Sequence, residues 1–122
     1  MDISPEKMAE YRRTARKKQM KIRFETDQRR ANALGVARKA SELLKTTYRV
    51  KQVFLFGSLS RDGVFDDHSD IDLAVEGLDE QKYYKALARL SDLDMSSDID
   101  LLMLEYAPPE LLKIILNEGK KL

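Results

Sequence analysis

Phe54-Leu55-Phe56-Gly57-Ser58, answered twelve residues after the serine by Asp70-Ile71-Asp72, is the stretch on which the fold turns. An apolar run stops at a glycine and a serine, a polar loop follows, and two aspartates then flank one isoleucine inside a second apolar run. Residues i and i+2 of a strand share a face, with Cα atoms roughly 6.5–7 Å apart. Asp70 and Asp72 therefore converge on one side, while Ile71, Leu73 and Val75 pack into a core on the other. Aspartates at alternate positions of a buried strand are costly unless something positive neutralises them.

Hard oxygen donors of this kind select Mg2+ or Mn2+ over softer metals. Asp98 and Asp100 repeat the pattern around Ile99. With the two strands adjacent, Asp100 completes a three-carboxylate cluster. Such a cluster holds two metals about 3.5–4 Å apart and supports in-line displacement at phosphorus. Asp98, at the strand entrance, reads as a strand cap. Gly57 permits a sharp turn and close approach to a ligand. Ser58 offers a hydroxyl and an amide at the start of a helical turn, an anion site, and Arg61 adds a cation three residues later.

Outward from this centre, the elements alternate. Ser4-Pro5 reads as an N-cap followed by proline at the first helical position. The run Arg12 to Arg30 is dominated by Lys and Arg, with Met8, Ala15 and Ile22 forming a narrow stripe that could not hold the segment folded by burial alone. A better apolar face, Ala33, Ala37, Ala40 and Leu44 with Leu34, Val36 and Leu43 beside them, predicts a helix from about Asp27 to Thr47; its continuity with the first is left open. Tyr48 to Phe56 reads as a strand, buried on both faces from Val53 onward, and Leu59 to Ser69 as a helical turn plus loop. Asp70 to Val75 is a second strand. Asp79 to Leu93 is an amphipathic helix carried by Tyr83, Leu87 and Leu90, with Tyr84 and Ala86 near the same side. Ile99 to Leu104 is a third strand, and the last helix starts at Pro108-Pro109, runs through Leu111, Leu112, Ile115 and Leu116, and stops near Gly119. The order predicts an α/β fold, a small mixed sheet of about three to four strands flanked by helices. Residues 1–27 stand as a basic helical extension and 28–122 as the folded domain.

The net charge of +1 hides an asymmetry: residues 1–52 hold 15 Lys/Arg against 6 Asp/Glu (+9), and residues 53–122 hold 7 against 15 (−8). A basic part joined to an acidic one suits an anionic partner for the first and cations for the second. There are no cysteines, which excludes disulfides and thiolate metal sites. No apolar run approaches the roughly 20 residues of a membrane span, and the N-terminus lacks the apolar core of a signal peptide, so a cytoplasmic protein is expected. His68 beside Asp67 reads as a solvated loop histidine, and Tyr83 and Tyr84 as core and rim. Nothing aromatic is interleaved regularly enough in the basic run to stack bases, so direct nucleic-acid binding is not expected.

Gly57-Ser58-Leu59-Ser60-Arg61, then Ser69-Asp70-Ile71-Asp72-Leu73, resembles the signature of the DNA polymerase β-like nucleotidyltransferases, above all their minimal members, the MNT proteins. The resemblance covers about Gln28 to Gly119. It implies a polymerase β palm-like fold and a partner, a HEPN-domain toxin, for which the MNT protein is the antitoxin. By this resemblance Gly57 and Ser58 hold the β- and γ-phosphates of ATP, Asp70 and Asp72 ligate two Mg2+ ions, and Asp100 ligates the catalytic one and helps deprotonate the acceptor hydroxyl. AMP would then pass to a tyrosine of the toxin, silencing a ribonuclease. Antibiotic-modifying relatives usually carry a further helical domain, which favours a protein acceptor here. The alternatives are neutralisation by direct binding, with the basic helix as docking arm, and transfer to a small molecule or an RNA end. Arg61 matches the arginine that minimal members carry after Gly-Ser, but the family usually has glycine next, whereas Asp62 precedes Gly63 here.

Overall fold

The computed structural model describes residues 4–61, 65–94 and 96–122. Asp62 and Gly63, where the sequence departs from the family pattern, lie outside the described residues.

One helix, α1 (Pro5–Thr46), spans both helical segments, whose continuity the sequence leaves open. No proline follows Pro5 within it, and Gly35 inside it has open space beside its Cα, so nothing forces a break. Its start is as expected: Ser4 accepts a hydrogen bond from the Lys7 amide, with proline in the first turn. Its 42 residues extend about 63 Å, but its buried side chains are Ala33, Ala37, Ala40, Ser41 and Leu44, all in the last third. The helix is exposed as far as Glu25, including Tyr11, Met20, Ile22 and Phe24.

Strands β1 (Gln52–Phe56), β2 (Ile71–Glu76), β3 (Ile99–Met103) and β4 (Lys120–Lys121) form one mixed sheet in the order β3-β2-β1-β4. β1 runs antiparallel to β2 and β4, and β2 runs parallel to β3. β1 begins four residues later than the sequence suggests. The chain must reverse out of α1, and Arg49 does so with φ of 54° in the left-handed region, which ends any extended run at Tyr48. β4 follows the last helix, where the sequence reading placed only the helix stop at Gly119. Helix α2 (Tyr83–Ser91) is preceded by a 3-10 turn capped by Asp79, whose side chain accepts from the Gln81 amide, so the predicted single helix is split and ends two residues early. Tyr84 falls off its buried face and is 80% exposed. Helix α3 (Pro109–Glu118) buries Ile115 and leaves Leu116 out.

The two faces of the sheet are covered unequally. One carries Val53, Leu55, Ile71, Leu73, Val75, Ile99, Leu101 and Met103 against the last third of α1 and against α2. Phe65, fully buried in the loop before β2, joins this core and anchors that loop; it was not anticipated from the sequence. The opposite face carries Phe54, Ala74 and Leu104 under Ile115 of α3, with Phe56, Leu102, Leu111 and Leu112 at its margin. That second cluster covers only part of the face. The ends of β1, β2 and β3 beyond it carry Asp72 and Asp100.

Candidate functional site

The register assembles the carboxylates. Asp72 of β2 lies opposite Asp100 of β3 in the parallel pair and opposite Phe56 of β1 in the antiparallel pair. Asp70 stands just before β2, where the Ile71 amide donates to the Asp98 carbonyl and ties the two strand entrances together at 2.9 Å. Asp98 thus serves the sheet through its backbone. Ile71, Leu73 and Val75 are completely buried on the other face, so alternation drives Asp70 and Asp72 toward the open one.

Electrostatics mark the cluster. Desolvation, Asp100 and Asp70 together push the Asp72 carboxyl up from 3.8 to about 6. Asp70 is raised by desolvation first and then by Asp100 and Asp98. A carboxyl–carboxylate hydrogen bond to Asp100 acts the same way on both. Among the described residues, no Lys or Arg forms an ion pair with any of the three. Like charges gathered without a counter-charge are what a cation site looks like before the cation is counted. Among the described residues no three such groups close a shell around one metal by themselves. The donor set, all carboxylate oxygen and left uncompensated, nevertheless fits a hard divalent ion whose remaining ligands come from a phosphate and water.

Gly57 completes the corner. The chain turns there with φ of +72° into a 3-10 turn, Gly57–Ser60. The left-handed φ favours glycine there, and a Cβ would meet Asp72 Oδ2, so a side chain could be accommodated only by pushing that carboxylate aside. Ser58 is exposed beside this corner, and the buried Ser60 donates its hydroxyl to the Gly57 carbonyl at 2.8 Å. The Arg61 guanidinium lies 3.9 Å from Glu118, an exposed pair worth little. The loop leading to Asp70 is held by Asp66. The His68 amide and the Ser69 hydroxyl donate to its carboxylate, which keeps the group below the usual carboxylate range. The His68 side chain is solvent-exposed, as expected.

Arg30 is a residue that sequence reasoning missed. It donates from Nη1 to the carbonyls of Leu59 (3.2 Å) and Arg61 (2.7 Å), bracing the turn that carries Gly57 and Ser58. Its spacing before Ala33 places it at the edge of the buried face of α1, but nothing local signals a partner 29 residues away.

A family model described as "Polymerase beta, Nucleotidyltransferase" matches residues 38–122. The chain belongs to this nucleotidyltransferase family. No curated protein matches it. Among solved structures it is similar to a toxin–antitoxin with AMP-PNP, with 29% identity, a TM-score of 0.59 and 70% of each chain covered. It is likewise similar to a tri-AMPylated Shewanella oneidensis HEPN toxin in complex with MNT antitoxin, at 27% identity and a TM-score of 0.55, covering 73% of this chain and 70% of that one. A mutant of the toxin–antitoxin MntA-HpeT matches at 30% identity and a TM-score of 0.54, over 70% and 68% of the two chains. The mixed four-stranded sheet flanked by helices is thus a polymerase β-like nucleotidyltransferase fold, here with a long N-terminal helix. Among the described residues no helix is long and apolar enough to cross a membrane.

Proposed function

We propose that this chain is the antitoxin of a HEPN/MNT pair and transfers AMP from ATP to a tyrosine hydroxyl of its HEPN partner. The observation that carries the reading is the uncompensated group Asp70, Asp72 and Asp100 beside Gly57 on the half-covered face. The similarity to a complex with a tri-AMPylated toxin and to a toxin–antitoxin with AMP-PNP supports the nucleotide and the acceptor.

In this reading Gly57 and Ser58 receive the β- and γ-phosphates, with Arg61 near the outer end. Asp70 and Asp72 would hold two Mg2+ ions and Asp100 the one nearer the acceptor. When bound, the metal supplies charge neutralisation at the phosphates and lowers the cost of forming an alkoxide. Asp100 accepts the proton of the acceptor hydroxyl. The hydroxyl oxygen bonds to the α-phosphorus, the bond from that phosphorus to the bridging oxygen breaks in line, and pyrophosphate leaves. Burial of the apolar residues on the opposite face fixes the strand backbones from which the carboxylates project.

The test combines the purified chain, its HEPN partner, Mg2+ and ATP labelled in the α-phosphate. Label on a partner tyrosine, lost in Asp70→Asn/Asp72→Asn, is expected. Neutralisation that persists unchanged in that variant, with no label on the partner, would sink the enzymatic reading.

A second reading has its own observation. The exposed part of α1 presents Tyr11, Met20, Ile22 and Phe24 amid seven cations and no acid from Arg12 to Arg23, an arm suited to docking on a partner protein. If docking alone neutralises the partner, Lys17→Glu/Lys21→Glu abolishes neutralisation while Asp72→Asn leaves it intact. Label appearing on RNA or on a small molecule in the same assay points instead to a different acceptor.

A further inference from the structure

We infer that Arg30 is a positioning residue that orients the Gly57–Ser60 turn for phosphate binding. This rests on the nucleotidyltransferase reading and extends it to a residue outside the Gly-Ser and Asp-x-Asp motifs. A 3-10 turn leaves its final carbonyls without partners inside the turn. Here four of the five carbonyls from Gly57 to Arg61 accept a hydrogen bond. Ser60 Oγ bonds the Gly57 carbonyl, the Arg61 amide bonds that of Ser58 at 3.4 Å, and Arg30 Nη1 bonds those of Leu59 and Arg61. The amide and carbonyl of one trans peptide unit point in opposite directions. A turn whose carbonyls are drawn onto protein donors therefore directs the corresponding amides the other way. By holding the Leu59 carbonyl, Arg30 fixes the peptide unit that leads into Ser60, and Ser60 Oγ in turn holds the Gly57 carbonyl, whose unit carries the amide of the exposed Ser58.

Arg30 is suited to this task by its place. It is half-buried on α1 one turn before Ala33, the first buried residue of that helix, so its backbone is fixed by the core rather than by the exposed arm. Its bonds to carbonyls are charge-assisted and span from the helix to the turn across 29 and 31 residues of sequence. The guanidinium also brings a permanent positive charge behind a turn meant for anions, and unlike a lysine it presents its donors in a fixed plane. Charge and geometry can be separated by substitution.

The experiment measures AMP-PNP binding by calorimetry with Mg2+ in the full chain, alongside hydrogen exchange of the peptide spanning Gly57 to Arg61. Arg30→Ala is expected to weaken AMP-PNP by about tenfold or more and to speed exchange in that peptide. Arg30→Lys keeps the charge and is expected to recover only part of the affinity, and added guanidinium is expected to restore Arg30→Ala in part. Arg16→Ala, which removes an equal charge from the exposed arm, is expected to leave both readouts unchanged. Exchange in the turn that is the same in Arg30→Ala as in the wild type overturns the assignment. So does full affinity in Arg30→Lys, which would make the role one of charge alone. Loosening of the turn in Arg30→Ala, in a protein whose wild type binds no AMP-PNP, upholds Arg30 as the anchor of the turn and overturns the nucleotide reading instead.

Discussion

The two faces of β2 differ although they are built from the same six residues. Ile71, Leu73 and Val75 point into a face sealed by α1 and α2 and have no exposure at all. Asp72, one residue removed from two of them, points to a face that α3 covers only as far as Phe54, Ala74 and Leu104. The sealed face fixes the strand, and the fixed strand holds like charges together on the open one at a cost that a flexible chain would escape by turning them into water. Packing and clustered charge are thus divided between alternate residues, and each can be attacked without directly touching the other.

The largest expected effect comes from the sealed face. Leu73→Ala leaves a cavity among fully buried neighbours and is expected to cost about 2–5 kcal/mol, read as a lower midpoint in chemical unfolding. A loss below about 1 kcal/mol would show that the face repacks and is not the rigid support described. Gly57→Ala attacks the corner between the faces. At φ of +72° a side chain costs about 1–2 kcal/mol, and its Cβ collides with Asp72 Oδ2, so AMP-PNP binding should be lost well beyond the stability change. Binding that survives would mean that the Asp72 carboxylate is free to move aside.

Asp72 itself yields an effect of opposite sign. Its folded value of about 6 lies above the ordinary 3.8, so the folded state binds its proton more tightly than the unfolded one. The penalty is absent below pH ~4, grows as the pH rises toward about 6, and is constant above that. Asp72→Asn is therefore expected to raise the melting temperature of the metal-free protein at pH 7.5 but not at pH 3.5, while abolishing the stabilisation by Mg2+. Scanning calorimetry at the two pH values checks it. The smallest change is Gly35→Ala. Its site is open and helical, and a gain of about 0.5–1 kcal/mol is expected without effect on nucleotide binding.

How far the sequence discloses this arrangement depends on the range of the interaction. Alternation in Asp70 to Val75 makes both faces legible from a single strand, and Gly57 marks the turn because glycine takes a left-handed corner at the least cost. Ser4-Pro5 announces the start of α1, since a cap acts within three residues. The Asp72–Asp100 pairing is legible only as a condition, because register between strands 28 residues apart is settled by packing. β4 escaped notice since Lys120 and Lys121 have low strand propensity and pair only because α3 delivers them to the free edge of β1. Arg30 escaped for a similar reason. Within a run of cations one guanidinium looks like another, and what distinguishes it is a turn reached across the fold. The buried Phe65 sits in a polar loop with no periodic neighbours to reveal it.

Everything above the sealed face depends on whether the open one takes up a nucleotide with its metal. Counting Mn2+ bound per chain by electron paramagnetic resonance in the presence of AMP-PNP tests it most directly. About two ions are expected in the wild type, with binding that strengthens as the pH rises through about 6, and at most one in Asp72→Asn. Equal occupancy in wild type and Asp72→Asn would contradict it.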